Sequence, residues 1–198
     1  MGCIQSIPFN ETWRQNHLAV ARSMYAQYTF RNLVKHNPAW NQFVDIEAEL
    51  AVIENKTYSS DFEFESDLTL AFLQLHDPHV EIIMPRCYDI YQYFPFNIYA
   101  RRVEKQQQST LAIHVGQLRT AAGTSYKSIT GINVGEYVNM EILEVNGIPV
   151  VDYIKQLSDN ISSASNDPAV RVNEMIKAGF SERLFSFQGA DMDGHVNI

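Results

Sequence analysis

The sequence predicts an α+β fold, with a helical N-terminal lobe over residues 1–79 followed by a β-rich lobe over residues 80–198. Three observations lead there. Before His79 the apolar residues recur at three- and four-residue spacing, the period of helices with one buried face. After His79 they fall in short runs of β-branched and aromatic residues, the pattern of strands. The chain has 198 residues, 45% of them hydrophobic and 19% charged, which suffices for one large core or two small ones.

In the first lobe, Asn10 is placed to cap a helix, with Glu11 behind it where a carboxylate favours the positive end of the helix dipole. Trp13, Leu18, Ala21, Met24, Tyr25 and Tyr28 are expected on its buried face. Asn37-Pro38 marks a break. A second helix is expected from Asp45 to about Asn55, with Ile46, Leu50 and Ile53 on one side. Ser60 and Glu63 have the spacing of a capping box. The helix they open carries Phe64, Leu68, Phe72 and Leu75. Its expected end is Asp77-Pro78, because proline disfavours helical backbone in the residue before it.

In the second lobe, Val80 to Met84 reads as a strand stopped by Pro85. Phe96 to Val103, Leu111 to Val115 and Met140 to Val145 are further strands, and Gln106-Gln107-Gln108 is a loop tip. Asn146-Gly147 is the strongest hairpin signal in the chain, since both residues tolerate positive φ. Val150 to about Asp159 is expected to be helical. Asp167-Pro168 opens another helix with proline at its first position. Leu184 to Phe187 completes the set as a last strand.

Charge excludes some functions. Fifteen Lys and Arg stand against 23 Asp and Glu, a formal net charge of -8, and no basic stripe offers itself to phosphates, so no nucleic-acid partner is expected. The longest nearly uncharged apolar run, Leu68 to Leu75, is far short of the roughly 20 residues that span a bilayer, so no transmembrane segment is expected. The two cysteines, Cys3 and Cys87, are too few for a disulfide scaffold or a four-cysteine zinc site. A secretory compartment would oxidise them to a single bridge. Three glycosylation sequons begin at Asn10, Asn55 and Asn160, against about 1.5 expected by chance, a push toward secretion. The start, Met1-Gly2-Cys3-Ile4-Gln5-Ser6, also fits N-myristoylation with a palmitoylated cysteine. Against this, no polybasic patch follows to supply a second membrane signal. The other reading, a start standing where a signal peptide has been removed, makes the protein secreted or extracellular.

Few constellations promise chemistry. His76-Asp77-Pro78-His79 packs two imidazoles and a carboxylate together, but Pro78 breaks the helix that would align them on a metal. Asp77 and His79 are therefore expected to hold a structural turn by bonding to backbone, and no metal is expected. Asp191-Met192-Asp193-Gly194-His195 lacks the further ligands of a calcium loop and reads as a solvated turn. Ser125 and Lys127 would form a catalytic dyad only with a desolvated, neutral lysine, yet they sit in what reads as an exposed loop, Gly123 to Lys127, where lysine stays protonated. Cys87 has no obvious base beside it in sequence. No catalytic residue and no cofactor are expected.

Several stretches together resemble one family. Cys3 to Phe9 resembles the mature start seen in a eukaryotic branch of it, and Leu75-His76-Asp77-Pro78-His79 resembles the Leu-x-Asp-x-His element of the tail-specific, or C-terminal-processing, serine peptidases. Glu144 to Val150 is similar to the Ile-Asn-Gly hairpin of their PDZ-like domain, and Asp167 to Asn173 is similar to a downstream helix with Arg-x-Asn. The resemblance implies that the β-rich lobe is PDZ-like and that the parent protein is a hydrolase. It also implies that the catalytic domain is not in this chain, because no nucleophile or lysine motif of that family matches within it. The last residues, Asp193 to Ile198, do not read as a closed terminus, which fits a catalytic domain beyond them. The ligand-binding loop of such a lobe is best matched by Gly131, Ile132, Asn133, Val134 and Gly135, although it holds only part of the expected glycine-rich nest.

The expected function is thus that of a non-catalytic N-terminal region of a secreted tail-specific serine protease relative. It would position or gate substrate for a catalytic domain that follows. Its partners would be a peptide or protein substrate, or that missing domain. The alternatives are a stand-alone extracellular binding or adhesion module with a PDZ-like fold, and a lipid-anchored intracellular adaptor.

Overall fold

The structure, a computed structural model, describes residues 6–38, 43–88, 91–105, 108–180 and 182–184. Two compact units divide the chain: Met1–Asp89 with Ser163–Asp167, and Ile90–Ser162 with Pro168–Ile198. Residues 80–89, expected with the β-rich lobe, therefore group with the helical unit.

The first unit is helical. Helix α1 (Glu11–Ala26) starts where Asn10, in extended conformation, accepts the Trp13 N–H at 3.1 Å. Leu18, Ala21 and Tyr25 are buried, but Trp13 and Met24 are 55% and 66% exposed, with Val20 beside them at 58%. The helical period explains the difference. Positions 13, 20 and 24 form one stripe and positions 18, 21 and 25 another, about a third of a turn away. Mixed three- and four-residue spacing merged two faces into one. A short helix α2 (Arg31–Val34) precedes the break. Helix α3 (Ile46–Asn55) is capped by Asp45, whose Oδ1 accepts the Glu47 and Ala48 N–H groups at 3.2 and 3.4 Å, and buries Ile46, Leu50 and Ile53 as expected.

Helix α4 (Asp61–Leu73) is the centre of this unit. Ser60 Oγ accepts the Glu63 N–H at 3.3 Å. The Glu63 carboxylate reaches back one residue further than a capping box would take it, accepting from the Ser59 N–H at 3.0 Å and the Ser59 hydroxyl at 2.9 Å. Phe64, Leu68 and Phe72, with Leu75 beyond the helix end, join Leu18, Tyr25 and Leu50 in one core. The helix stops before Asp77-Pro78. His76 takes a left-handed conformation at φ 48°, and its N–H reaches back to the Leu73 carbonyl at 3.0 Å. That reversal ends the helix before the proline can act on it. Val80 to Met84 forms no strand. Its β-branched residues instead serve packing, with Val80 and Ile82 half-buried against the helical core.

The second unit mixes strand and helix. Strands β2 (Phe96–Lys105), β3 (Gln108–Leu118) and β4 (Glu141–Ile142) form an antiparallel sheet in the order β2-β3-β4. Both long strands outrun their expected bounds: Lys105 pairs with Gln108, which belongs to β3 rather than to the expected loop tip. Strand β1 (Tyr91–Tyr93) pairs with β7 (Glu182–Leu184). Of the expected last strand only Leu184 lies within the described residues; Phe185 to Phe187 lie outside them, as do Gln106 and Gln107. Strands β5 (Glu144–Val145) and β6 (Ile148–Pro149) flank Asn146 and Gly147 at φ 53° and 77°, the backbone that a tight hairpin turn demands. Helix α5 (Thr120–Thr130) occupies the stretch read as an exposed loop around Gly123. Helices α6 (Val150–Ile161) and α7 (Pro168–Glu174) follow, the latter running into one π-turn (Met175–Gly179) closed by the Phe180 N–H on the Met175 carbonyl at 2.8 Å. Phe96, Ile98, Ile113, Val115, Ile142 and Ile154 form the core of this unit.

The β2–β3 register slips between Phe96 and Ile98, and Gly116 faces the slip. A Cβ added there would stand 2.9 Å from the Asn97 carbonyl oxygen, which is backbone and cannot swing aside. Gly116→Ala should therefore destabilise the second unit by about 1–3 kcal/mol, the range for overpacking. Urea unfolding of the variant against the parent checks this, and an unchanged midpoint would contradict the close approach.

Candidate functional site

The helical unit holds a cleft of about 470 Å³ that sequence reading did not anticipate. Trp13 and His17 reach it from α1, Asp61 and Glu65 from α4, and Cys87 and Tyr88 from a 3-10 turn (Arg86–Tyr88). Ile7 and Pro85 complete its lining. His17 Nδ1 lies 2.6 Å from Glu65 Oε1, with the imidazole side chain 43% exposed and the carboxylate only 3%. The imidazole also stacks on Phe64 at a centroid distance of 6.1 Å. The Tyr88 hydroxyl donates to Asp61 Oδ2 at 2.7 Å.

Burial dominates the electrostatics here. Loss of solvent pushes the Glu65 carboxyl up; nearby His17 pulls it back, and the Asp61 charge adds to the rise. The Tyr88 phenol is pushed up by burial and by its bond to Asp61. The arrangement fixes one imidazole nitrogen on a buried carboxylate, which sets the ring's orientation at the cleft wall. Among the described residues no hydrogen bond joins Cys87 to His17.

A signal for this site was present in the sequence. Positions 61, 65, 68 and 72 fall on one helical stripe. Asp61 and Glu65 thus extend the line of Leu68 and Phe72 into the interior, and acidic residues on a core stripe are rare enough to mark a site.

The predicted turn residues sit in the same unit. Asp77 Oδ1 accepts the His79 N–H at 3.0 Å and lies 3.0 Å from the His79 ring Nδ1. Asp77 Oδ2 accepts the Tyr28 hydroxyl at 2.9 Å, which ties the turn to the chain just beyond α1. The His79 side chain itself is 90% exposed. Burial raises the Asp77 carboxyl, but the His79 N–H, the Tyr28 hydroxyl and the His79 ring outweigh it and hold the group below the ordinary aspartate range. No group of three or more His, Cys, Asp or Glu is set to hold a metal ion among the described residues.

In the second unit, Gly131 ends α5 at φ 76° and gives its N–H to the Lys127 carbonyl at 2.9 Å. The Ile132 N–H donates to Thr130 Oγ1 at 3.2 Å, and the Gly135 N–H to Asn133 Oδ1 at 3.4 Å. Val134 is buried in the core and starts a 3-10 turn (Val134–Tyr137). Three of the loop's N–H groups are thus already donated, two to the end of α5 and one within the loop, and the loop leads into a 3-10 turn. Ser125 and Lys127 are both exposed on α5, two residues apart. That spacing points them to different sides of the helix.

Asn10, Asn55 and Asn160 are all exposed. Asn10 uses Oδ1 for its cap, and Asn55 donates through Nδ2 to the Ala51 carbonyl at 2.7 Å. Cys87 is an exposed free thiol, while Cys3 lies outside the described residues, as do Asp191 to His195. No helix among the described residues is long and apolar enough to cross a membrane. Comparison with protein-family models, with curated proteins and with solved structures finds no match to this chain.

The Asp77 geometry leads to a test. Asp77→Ala removes the acceptor for a backbone N–H and a tyrosine hydroxyl, and should cost about 1–2 kcal/mol at neutral pH. The sign of the pH dependence follows from a depressed folded-state pKa. The stabilisation is present above the unfolded value near pH 4 and is lost as pH falls through the folded one. Thermal unfolding of parent and variant should differ most at neutral pH and converge below about pH 4; a gap that stays constant with pH would refute the assignment.

Proposed function

We propose that the chain is the non-catalytic N-terminal region of a secreted relative of the tail-specific serine peptidases. Its second unit, PDZ-like in the family sense, positions or gates substrate for a catalytic domain that follows. The motif resemblance supplies the family. The observation that favours docking is helix α5, which buries none of its residues. Tyr126 packs half-buried against the core, while Ile129 is 83% exposed. Beyond the helix, Met140 and Leu143 are 54% and 73% exposed. A helix this short is marginal in water without a packing partner, and a second domain laid against these residues would supply one.

Docking fits better than capture of peptide C-termini. The N–H groups of Gly131 and Ile132 are already donated to acceptors on α5, and that of Gly135 to Asn133, and a terminal carboxylate would need such groups free. A net charge of -8 gives no long-range attraction for a carboxylate either. C-terminal peptides are therefore expected to bind at about 0.1 mM or weaker.

The reading frame beyond Ile198 is the first test. A serine-containing catalytic domain supports the proposal; its absence selects the stand-alone binding module instead. The isolated chain should cleave no unstructured peptide, and Ser125→Ala should change nothing, since Ser125 and Lys127 point to different sides of α5. With the following domain present, Ile129→Asp combined with Leu143→Asp should abolish association while moving the unfolding midpoint of the isolated chain by no more than about 0.5 kcal/mol, as expected of exposed positions. Retained association would sink the docking surface.

The secreted character has a separate test. Protein from a secreting eukaryotic host should carry glycans at Asn10, Asn55 and Asn160 and a Cys3–Cys87 bridge, the latter adding roughly 4 kcal/mol in the chain-entropy picture of loop closure. Intact and non-reducing peptide mass analysis reads both. Two free thiols and unmodified asparagines would overturn the compartment.

A further inference from the structure

We propose that the cleft of the helical unit is a binding site for an organic cation, a primary ammonium or guanidinium group on a short apolar stem. The inference is independent of the docking surface on the second unit.

The argument starts from a repulsion. Asp61 and Glu65 are four residues apart on α4, hence on one face of the helix. Like charges at that spacing already disfavour an exposed helix. Here the residues are only 6% and 2% exposed, so each carboxylate has also lost most of its hydration. Two hydrogen bonds compensate in part: the Tyr88 hydroxyl on Asp61 Oδ2, and the His17 ring on Glu65 Oε1. The second oxygens, Asp61 Oδ1 and Glu65 Oε2, accept no hydrogen bond among the described residues. His17 neutralises Glu65 only when its ring is protonated. No lysine or arginine lines the cleft among the described residues. Burial also pushes the Glu65 carboxyl up, a strain that an added positive charge would relieve.

The remaining lining defines the ligand's body. Trp13 and Tyr88 offer aromatic surface, which attracts a cation through the ring quadrupole. Ile7 and Pro85 offer apolar contact for a stem. The volume of about 470 Å³ suits a small organic group, within the roughly 300–1,000 Å³ typical of ligand sites. An anion would meet two carboxylates and no fixed cation. An inorganic cation would find no cluster of three ligating groups among the described residues. An organic cation suits both the two carboxylates and the apolar residues of the lining.

The test is an NMR titration of the 198-residue chain with n-butylammonium chloride, following the Trp13 indole N–H, with n-butanol as the uncharged comparison. The amine should give a saturable shift with a Kd of about 1 mM or tighter, and the alcohol should bind at least ~10-fold more weakly. Glu65→Gln and Asp61→Asn should each weaken the amine by about 10-fold or more, with the far-UV spectrum unchanged. A blocked Leu-Lys-Leu peptide separates the sources. Tighter binding than the free amine assigns the cation to a partner's side chain, and equal or weaker binding assigns it to a small amine. The proposal is overturned by an alcohol that binds as well as the amine, by no saturable shift, or by folded variants that bind like the parent. It is also overturned if the amine binds only after removal of residues 1–5, because the site would then belong to the chain's own amino terminus. Should both variants fail to fold, the comparison of amine with alcohol on the parent protein decides.

Discussion

Helix α4 has to enter the interior with its charges attached, and the helical unit is arranged around that requirement. Leu68 and Phe72 share a stripe with Asp61 and Glu65, so the rotation that buries the apolar pair buries the carboxylates too. Each large apolar side chain gains about 1.5–3 kcal/mol on burial, while an unpaired buried carboxylate costs several. The balance is favourable only because neighbouring elements bring partners. Helix α1 supplies His17, and the turn after Pro85 supplies Tyr88. Both partners come from parts of the chain with no regular spacing to α4. Their placement in turn fixes the turn around Cys87 and opens the cleft beside it.

The turn at Asp77 follows the same logic on a smaller scale. One carboxylate serves a backbone N–H two residues on and a tyrosine hydroxyl from the end of the α1 region. The left-handed His76 makes this geometry available by reversing the chain before the proline. A motif that looks like a metal site on paper thus becomes a clamp. Its exposed imidazole is held by the same oxygen that holds its own N–H.

The second unit is organised by its hairpins. The β2–β3 pair supplies Ile98, Ile113 and Val115 to the core, and α6 closes over them with Val150, Ile154 and Ile161. Helix α5 stands apart from this scheme, since only Tyr126 among its residues packs on the core. Buried α6 and unburied α5 have comparable lengths. What separates them is an amphipathic pattern that is strong in one and weak in the other. A stretch of Gly, Thr and Ser without a clear apolar face reads as a loop for that reason, yet hydrogen bonds from Thr124 and Thr130 hydroxyls to carbonyls one turn earlier are made within the helix.

The sequence by itself determined the local events: the caps at Asn10 and Ser60, the apolar stripe of α3, the long strands and the turn at Asn146-Gly147. Each depends on residues within a few positions of one another, so spacing and side-chain chemistry suffice. It did not separate the two faces of α1, because Trp13 and Met24 have the same chemistry as the residues that are buried beside them. Nor did it separate strand from packed irregular chain at Val80 to Met84, since β-branched residues become a strand only when another strand offers its backbone. Only the tertiary structure brought His17 to Glu65 and Tyr88 to Asp61. These pairs span long stretches of chain, and no period or propensity encodes them. They form because two buried carboxylates need partners, and the fold decides which donors are near enough to serve.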